Sequence, residues 1–278
     1  MFEQSYPNFE VIFIDATSSD GTFEEAAKLE RYSNSFKNCK RYLFLSIEAD
    51  SPAKGRNLGV KLAGGTIIAF IDADCVAEKE WLINLVKHIP RDMGVIGGPN
   101  VLKHLKRSTI LNAIDNVLGT YLGSGGSPQF LKIERLSNVY AVPTCNMAIH
   151  KKLFTEMGGF DERRSHNEDS SLCDLIHEKG YEIIYNPDAK VDHFIGLDSF
   201  SKFSRFIYKY GNERGKNASD EPRLFTKFNV ISIALISISL SLATLSFLIN
   251  FAFFLFVALT EYYTKICQSV DVVCYTSE

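Results

Sequence analysis

The sequence predicts an α/β fold with a mainly parallel sheet, followed by a C-terminal helical segment that crosses a membrane. Two observations carry this expectation. Short apolar runs alternate with amphipathic stretches from residue 9 onward, as in successive strand–helix units. No charged residue occurs from Phe228 to Thr260, whereas about 20 apolar residues suffice to cross a bilayer.

The elements follow in order. FEVIFIDA (9–16) reads as a buried strand and GTFEEAAKLERYS (21–33) as a helix after a turn. RYLFLSI (41–47) is a second strand. SPAKGRNLGVKLA (51–63) is a helix, with Ser51 as its cap and Pro52 in its first turn. TIIAFIDAD (66–74) is a third strand and EKEWLINLVKHI (78–89) a third helix. YEIIYNPDAKV (181–191) is again strand-like. The charge-free run forms one tilted helix or a tight hairpin turning near Asn250. The expected divisions are an α/β domain over 1–225, a membrane segment over 226–263 and a short tail over 264–278.

Composition narrows the function. A net charge of -3 offers no basic excess to a phosphate backbone, which argues against a nucleic-acid binder. Cys39, Cys75, Cys145, Cys173, Cys267 and Cys274 contain no CxxC pair and suit reduced thiols in a cytosolic compartment rather than a disulfide framework or a zinc site. The opening MFEQSYPNFE lacks a basic region followed by an apolar one, so no signal peptide is expected there. Lys202, Arg205, Lys209, Arg214, Lys216, Arg223 and Lys227 precede the apolar run, and Lys265 follows it. The positive-inside rule then puts the α/β domain in the cytoplasm, at the cell membrane.

Ligands of open α/β sheets bind beyond the carboxyl ends of the strands. Asp15 sits at such an end, and so does the pair Asp72/Asp74 in IDADC. Residues i and i+2 of an extended chain point the same way, so the two acids are expected to face one site. Carboxylates held together repel unless a cation intervenes, and Mg2+ or Mn2+ bridging phosphates would supply it. Two acids at a solvated strand end are the plainer alternative.

YPNFEVIFIDATSSDGT (6–22), GRNLGVKLAGGTIIAFIDADC (55–75) and GGFDERRSHNEDSSLCDLIHEKGYEIIYNPDAKVDHF (158–194) occur in this order. Together they resemble the family 2 glycosyltransferases of the GT-A fold, a Rossmann-like nucleotide-diphospho-sugar transferase architecture. LGTYLGSGGSPQF (118–130), KYGNERG (209–215) and the apolar tail resemble the membrane-bound exopolysaccharide branch of succinoglycan type. The resemblance implies an inverting, metal-dependent transferase. Its donor would be a UDP- or GDP-sugar and its acceptor a lipid-linked or polysaccharide chain.

By resemblance, Asp15 reads the donor base, although Ala16 stands where the family often has a second acid. Arg56 and Asn57 hold the nucleotide and phosphates, a guanidinium being suited to bidentate phosphate contact. Asp72 and Asp74 match the DxD that holds the divalent metal, with Asp74 the more direct ligand and Asp72 nearer the ribose. His193 completes the metal site in several relatives. Asp169 matches the base that deprotonates the acceptor hydroxyl, with Glu168 beside it. Alternatively, these acids only complement a helix N-terminus. Arg205, with Lys209 and Tyr210, lies either over the donor diphosphate or against anionic lipid. Cys145 and Asn146 in VPTCNMAIH match a segment lining the acceptor side.

One departure is visible. The family opens with an apolar strand of the type VSVIIP and a helix before the YPNFEVI segment. Here the chain starts at MFEQSYPNFEV. The expectation is a sheet short of an inner strand, with Phe9–Ile14 left at an exposed edge. A truncated, inactive membrane relative acting as a scaffold is therefore the competing reading. A nucleotidyltransferase on a related sheet is a third, disfavoured by GGFDE and the ED pair.

Overall fold

The computed structural model describes residues 1–30, 37–91, 93–104, 108–121, 123–164, 167–194, 196–197, 199–220 and 227–274. In chain order the elements are β1 (Phe9–Asp15), α1 (Thr22–Glu30), β2 (Cys39–Ser46), α2 (Pro52–Leu62), β3 (Ile67–Phe70), β4 (Cys75–Ala77) and α3 (Trp81–His88). Next come β5 (Gly94–Gly97), β6 (Asn100–Leu102), α4 (Thr109–Leu118), β7 (Ser137–Asn138), β8 (Met147–His150), α5 (Lys151–Glu156) and α6 (Glu168–Glu178). The last are β9 (Glu182–Tyr185), β10 (Val191–His193), α7 (Phe200–Asp220) and α8 (Lys227–Cys274). The part of the first expected helix beyond Glu30 lies outside the described residues. Two units divide the chain, Met1–Leu224 and Phe225–Glu278.

The central sheet of the first unit runs β3-β8-β5-β9-β7. It is mixed rather than mainly parallel. β8 enters antiparallel between β3 and β5, β7 pairs antiparallel with β9, and only β5 and β9 run together. Strand–helix alternation reports that elements succeed one another, but strand direction is decided by returns such as β8 that carry little periodicity.

Alternation along the strands builds two cores. Val95, Met147, Ile149 and Ile183 face one side, where Val60 of α2, Leu153 and Phe154 of α5 and Leu172 and Ile176 of α6 cover them. Ile96 and Ala148 face the other side, against Trp81, Leu82 and Leu85 of α3 and Val191 of β10. A small sheet, β4-β10-β6, adjoins this second face. β1 and β2 pair in parallel as a separate ribbon, and among the described strands β1 pairs with no other. Phe203 of α7 packs on Leu111, Ile114 and Leu118 of α4.

Two glycines show how closely the backbone is drawn together behind the site. A Cβ on Gly97 would lie 2.5 Å from the Asn146 carbonyl oxygen, and one on Gly98 would lie 2.2 Å from that of Ala189. Asn146 joins the same elements through its side chain. Its Oδ1 accepts from Trp81 Nε1 at 2.8 Å, and its Nδ2 donates to the carbonyls of Pro99 at 3.1 Å and Ala189 at 2.8 Å. Fully buried and fully used, it does not line an acceptor groove as the sequence suggested.

In the second unit α8 is one continuous helix, so the hairpin alternative falls away. Ile233–Tyr262 is long and apolar enough to cross a membrane, and its large side chains are exposed. Within it Ser241, Thr244 and Asn250 donate to the carbonyls of Ser237, Leu240 and Ser246.

Replacing Asn146 by Ala leaves an indole N–H and two carbonyls buried without partners, at about 1–3 kcal/mol each when unrelieved. We expect Asn146→Ala to lose about 3 kcal/mol or more, read from the denaturant midpoint of the detergent-solubilised chain. A loss below about 1 kcal/mol would show that this node does not join the layers.

Candidate active site

The strand expected over 66–74 stops at Phe70, and Asp72–Asp74 form a turn closed by Cys75 N–H donating to Asp72 O at 3.1 Å. The two acids therefore do not face one site as neighbours on an extended strand. The turn separates them, and each meets a different partner.

Asp72 meets Arg56. One guanidinium nitrogen of Arg56 lies 2.8 Å from Asp72 Oδ1, and the other is in close contact with Glu168 Oε1. Arg56 projects from α2, Asp72 from the turn after β3, and Glu168 from the first turn of α6. One half-buried cation thus clamps three elements. Burial alone would lower the arginine's pKa, but Asp72 and Glu168 hold it above its ordinary value. Asp169 follows, its Oδ1 accepting from Ser170 N–H at 2.7 Å and its Oδ2 from Thr144 N–H at 3.3 Å. Burial, then the adjacent Asp169, raises Glu168 against the pull of Arg56. Burial likewise raises Asp169, opposed by the Ser170 and Thr144 amides. The preceding residue, Asn167, holds a left-handed φ of 63°, and its buried amide and the Ser171 hydroxyl have no hydrogen-bond partner among the described residues.

Asp74 meets His193. Asp74 Oδ2 lies 3.4 Å from His193 Nε2, and Asp74 Oδ1 lies 3.6 Å from Cys75 Sγ. Strand pairing dictates this: β4 and β10 are antiparallel, His193 stands opposite Cys75, and Phe194 N–H donates to Asp74 O at 2.9 Å. Burial lowers the His193 pKa, but Asp74 and Cys75 outweigh it and push the ring up to about 9. A hydrogen bond from Cys145 leads in lowering Cys75 to about 7. The other His193 ring nitrogen, Nδ1, is buried and has no hydrogen-bond partner among the described residues. An oxygen, a sulfur and an imidazole converging on one point fit a divalent cation. Sequence reasoning placed Asp74 and His193 here but missed Cys75, which DADC offered in plain view.

The other expected residues divide. Ser51 occupies the N-cap position of α2 but caps nothing with its side chain; its hydroxyl donates to Glu162 O at 2.9 Å. Asn57 holds the GGFDE loop. Its Oδ1 accepts from Phe160 N–H, and its Nδ2 donates to Phe160 O and Glu162 Oε1, each at 2.9 Å. Asp15 is buried at the end of β1, and hydrogen bonds led by that from Ser18 hold its carboxyl below its usual value. No hydrogen bond or ion pair joins it to the Arg56 cluster. Arg205 is exposed on α7 and pairs with no carboxylate among the described residues.

Acids gathered at the rim of such a mixed sheet belong to the GT-A fold. The mannosyltransferase PcManGT from Pyrobaculum calidifontis, solved with GDP-Man and Mn2+, superimposes with a TM-score of 0.57 at 18% identity. That match covers 82% of this chain and 61% of PcManGT. GalNAc-T7, solved with UDP, GalNAc and Mn2+, superimposes with a TM-score of 0.50 at 14% identity, over 72% of this chain and 41% of its own. Residues 1–158 match the model of glycosyl transferase family 2, and the chain belongs to that family. AmsB of Erwinia amylovora, an amylovoran biosynthesis glycosyltransferase, is 42% identical over 197 residues, which is 66% of this chain and 58% of AmsB. The pre-mycofactocin glycosyltransferase of Mycobacterium tuberculosis is 27% identical over 151 residues, 51% of this chain and 30% of its own. The chain thus spans less than two thirds of either curated relative.

Removing Arg56 leaves Glu168 buried without its cation, so its pKa rises further. A carboxyl with a higher pKa in the fold than in the unfolded chain favours folding below the unfolded value. That contribution disappears as pH rises through the folded value. Arg56→Met should therefore lose more thermal stability than wild type as pH rises above the ordinary glutamate pKa of about 4.3. Parallel melting profiles would show that Arg56 does not govern the ionisation of these acids.

Proposed function

We propose that this chain is an inverting glycosyltransferase at the cytoplasmic face of the cell membrane. It would move a sugar from a UDP- or GDP-sugar to a lipid-linked or polysaccharide acceptor, dependent on Mn2+ or Mg2+. The observation that carries this reading is Asp169, a half-buried carboxylate with a raised pKa at the opening of α6, beside the Arg56–Asp72–Glu168 clamp. The names of AmsB and of the GDP-Man and Mn2+ complex of PcManGT support it. So does α8, whose uncovered apolar stretch suits lipid.

Asp169 acts as the base. Its burial favours the proton, and the amides of Ser170 and Thr144 fix the carboxylate so that it can take a hydrogen from the acceptor hydroxyl as that oxygen attacks. Glu168, tied to Arg56, orients the acceptor. Asp72 and Asp15 hold the nucleoside, and Arg205 contacts the diphosphate. Asn57 positions Arg56 by locking α2 to the GGFDE loop. A cation on Asp74 and His193, with Asp72 near it, would supply the positive charge that offsets the departing diphosphate.

The competing reading, an inactive scaffold, draws on β1 pairing with β2 alone, which leaves the strand bearing Asp15 supported on one side. Calorimetry with UDP- and GDP-sugars separates the two. We expect Mn2+-dependent donor binding in the wild type and its loss in Asp74→Ala. In Asp169→Asn, donor affinity should persist while transfer falls about 10²–10⁴-fold. Failure of every donor to bind would favour the scaffold. The acidic limb of the transfer rate should also lie above the ordinary aspartate pKa of about 3.9, because burial raises Asp169.

A further inference from the structure

The carboxylate-and-histidine pair accounts for two donors of the cation site, but the structure brings a third atom of different chemistry to the same point. Ligand atoms of Asp74, Cys75 and His193 all lie within 4.8 Å of one another. A four-coordinate ion with bonds of about 2.0–2.3 Å separates its ligand atoms by about 3.3–3.8 Å. Asp74 presents Oδ2 to His193 Nε2 at 3.4 Å and Oδ1 to Cys75 Sγ at 3.6 Å, so small side-chain rotations would bring the three groups to that spacing. Adjacent residues seldom converge this way. Here Asp74 ends a turn and Cys75 begins β4, which directs both side chains to one point. The register then sets His193 directly opposite Cys75.

From this geometry we infer that Cys75 Sγ is the third protein ligand of the divalent cation, with Asp74 and His193, in a mixed oxygen–sulfur–nitrogen site. The inference rests on the metal-dependent reading above. Three ligands leave a fourth position open to water or to a ligand oxygen, as in sites that act on substrates. A thiolate changes which ion the site prefers. Sulfur is a soft donor, so Zn2+, Co2+ and Cd2+ should bind more tightly than Mg2+, which takes oxygen ligands in octahedral geometry. Cys145 is buried, its Sγ accepts from Asn100 Nδ2 at 2.9 Å, and it is not one of the three converging ligands. Asp72 lies on the Arg56 side of the turn and does not belong to this triad.

The test uses Co2+, whose bond to a thiolate produces a sulfur-to-metal charge-transfer band in the near ultraviolet. The full chain in detergent is titrated with Co2+ while binding is followed by calorimetry, and donor binding with Mn2+ is measured on the same preparations. The wild type and Cys145→Ser should show the band. Cys75→Ser should lose it and bind Co2+ about ten-fold or more weakly, with Mg2+ binding little changed. Three results would overturn the inference: Co2+ bound through Asp74 without the band, a band that survives in Cys75→Ser, or no Co2+ binding at all. Loss of the band with donor binding intact removes the thiolate ligand and leaves the transferase reading standing. A band without donor binding does the reverse.

Discussion

The architecture of the rim depends on one guanidinium. Asp72, Glu168 and Asp169 come from a turn and a helix remote in sequence, and gathering them without a cation would cost more through repulsion and desolvation than packing could return. Arg56 makes the gathering possible because it is planar and forked, with one nitrogen for each of two carboxylates. A lysine would offer a single point charge, and one of the acids would be left without a contact. The residue after it serves the same end by another route. Asn57 spends its whole amide on the GGFDE loop, so α2 is fastened to the segment that leads into α6. The RN doublet is a joint: its second residue fixes the helix from which its first reaches out.

The turn after β3 is the second constraint. Had the strand run on through Asp74, both acids would have pointed the same way and competed for the same cation. By closing Cys75 N–H onto Asp72 O, the chain rotates one acid toward Arg56 and carries the other to the β4–β10 pair. The short sheet β4-β10-β6 is what gives Asp74 and His193 a defined separation, because cross-strand partners are held by backbone hydrogen bonds rather than by side-chain packing.

How much of this was legible follows from the range over which each signal acts. The early strands and helices were readable because their apolar periodicity is local, and α8 because a long charge-free run has few alternative fates. The end of β3 was hidden, since IDAD continues the apolar alternation of IIAF into a turn. Strand direction was hidden too, because β7, β8 and β10 span only a few residues each and their pairing is decided by partners far along the chain. The ordered motifs placed Asp72, Asp74, Glu168, Asp169 and His193 at the rim, where the structure has them. They did not reveal which pairs with which, nor that Asn57 is bound to a loop 103 residues away. They also did not reveal that Asn146 is wholly internal. Reading a polar residue as a lining residue fails whenever tertiary neighbours consume its hydrogen bonds.

Charge balance connects the two halves of the rim. Asp72, Asp74, Glu168 and Asp169 bring four carboxylates, against which the described residues of the two clusters set Arg56 and His193. The structure accommodates this by different means on each side. On the Arg56 side, burial raises the pKa of Glu168 and Asp169 against the pull of Arg56 and of the Ser170 and Thr144 amides. On the Asp74 side, the imidazole takes the proton, its pKa pushed up to about 9. A site that keeps itself near neutrality by holding protons is one that a divalent cation can enter by displacing them, and metal binding to imidazole and thiol releases protons for that reason. The base proposed at Asp169 would benefit from the same arrangement. With Arg56 already committed to Asp72 and Glu168, the adjacent carboxylate is left without a full countercharge, and a carboxylate so placed retains the proton affinity that general-base chemistry requires.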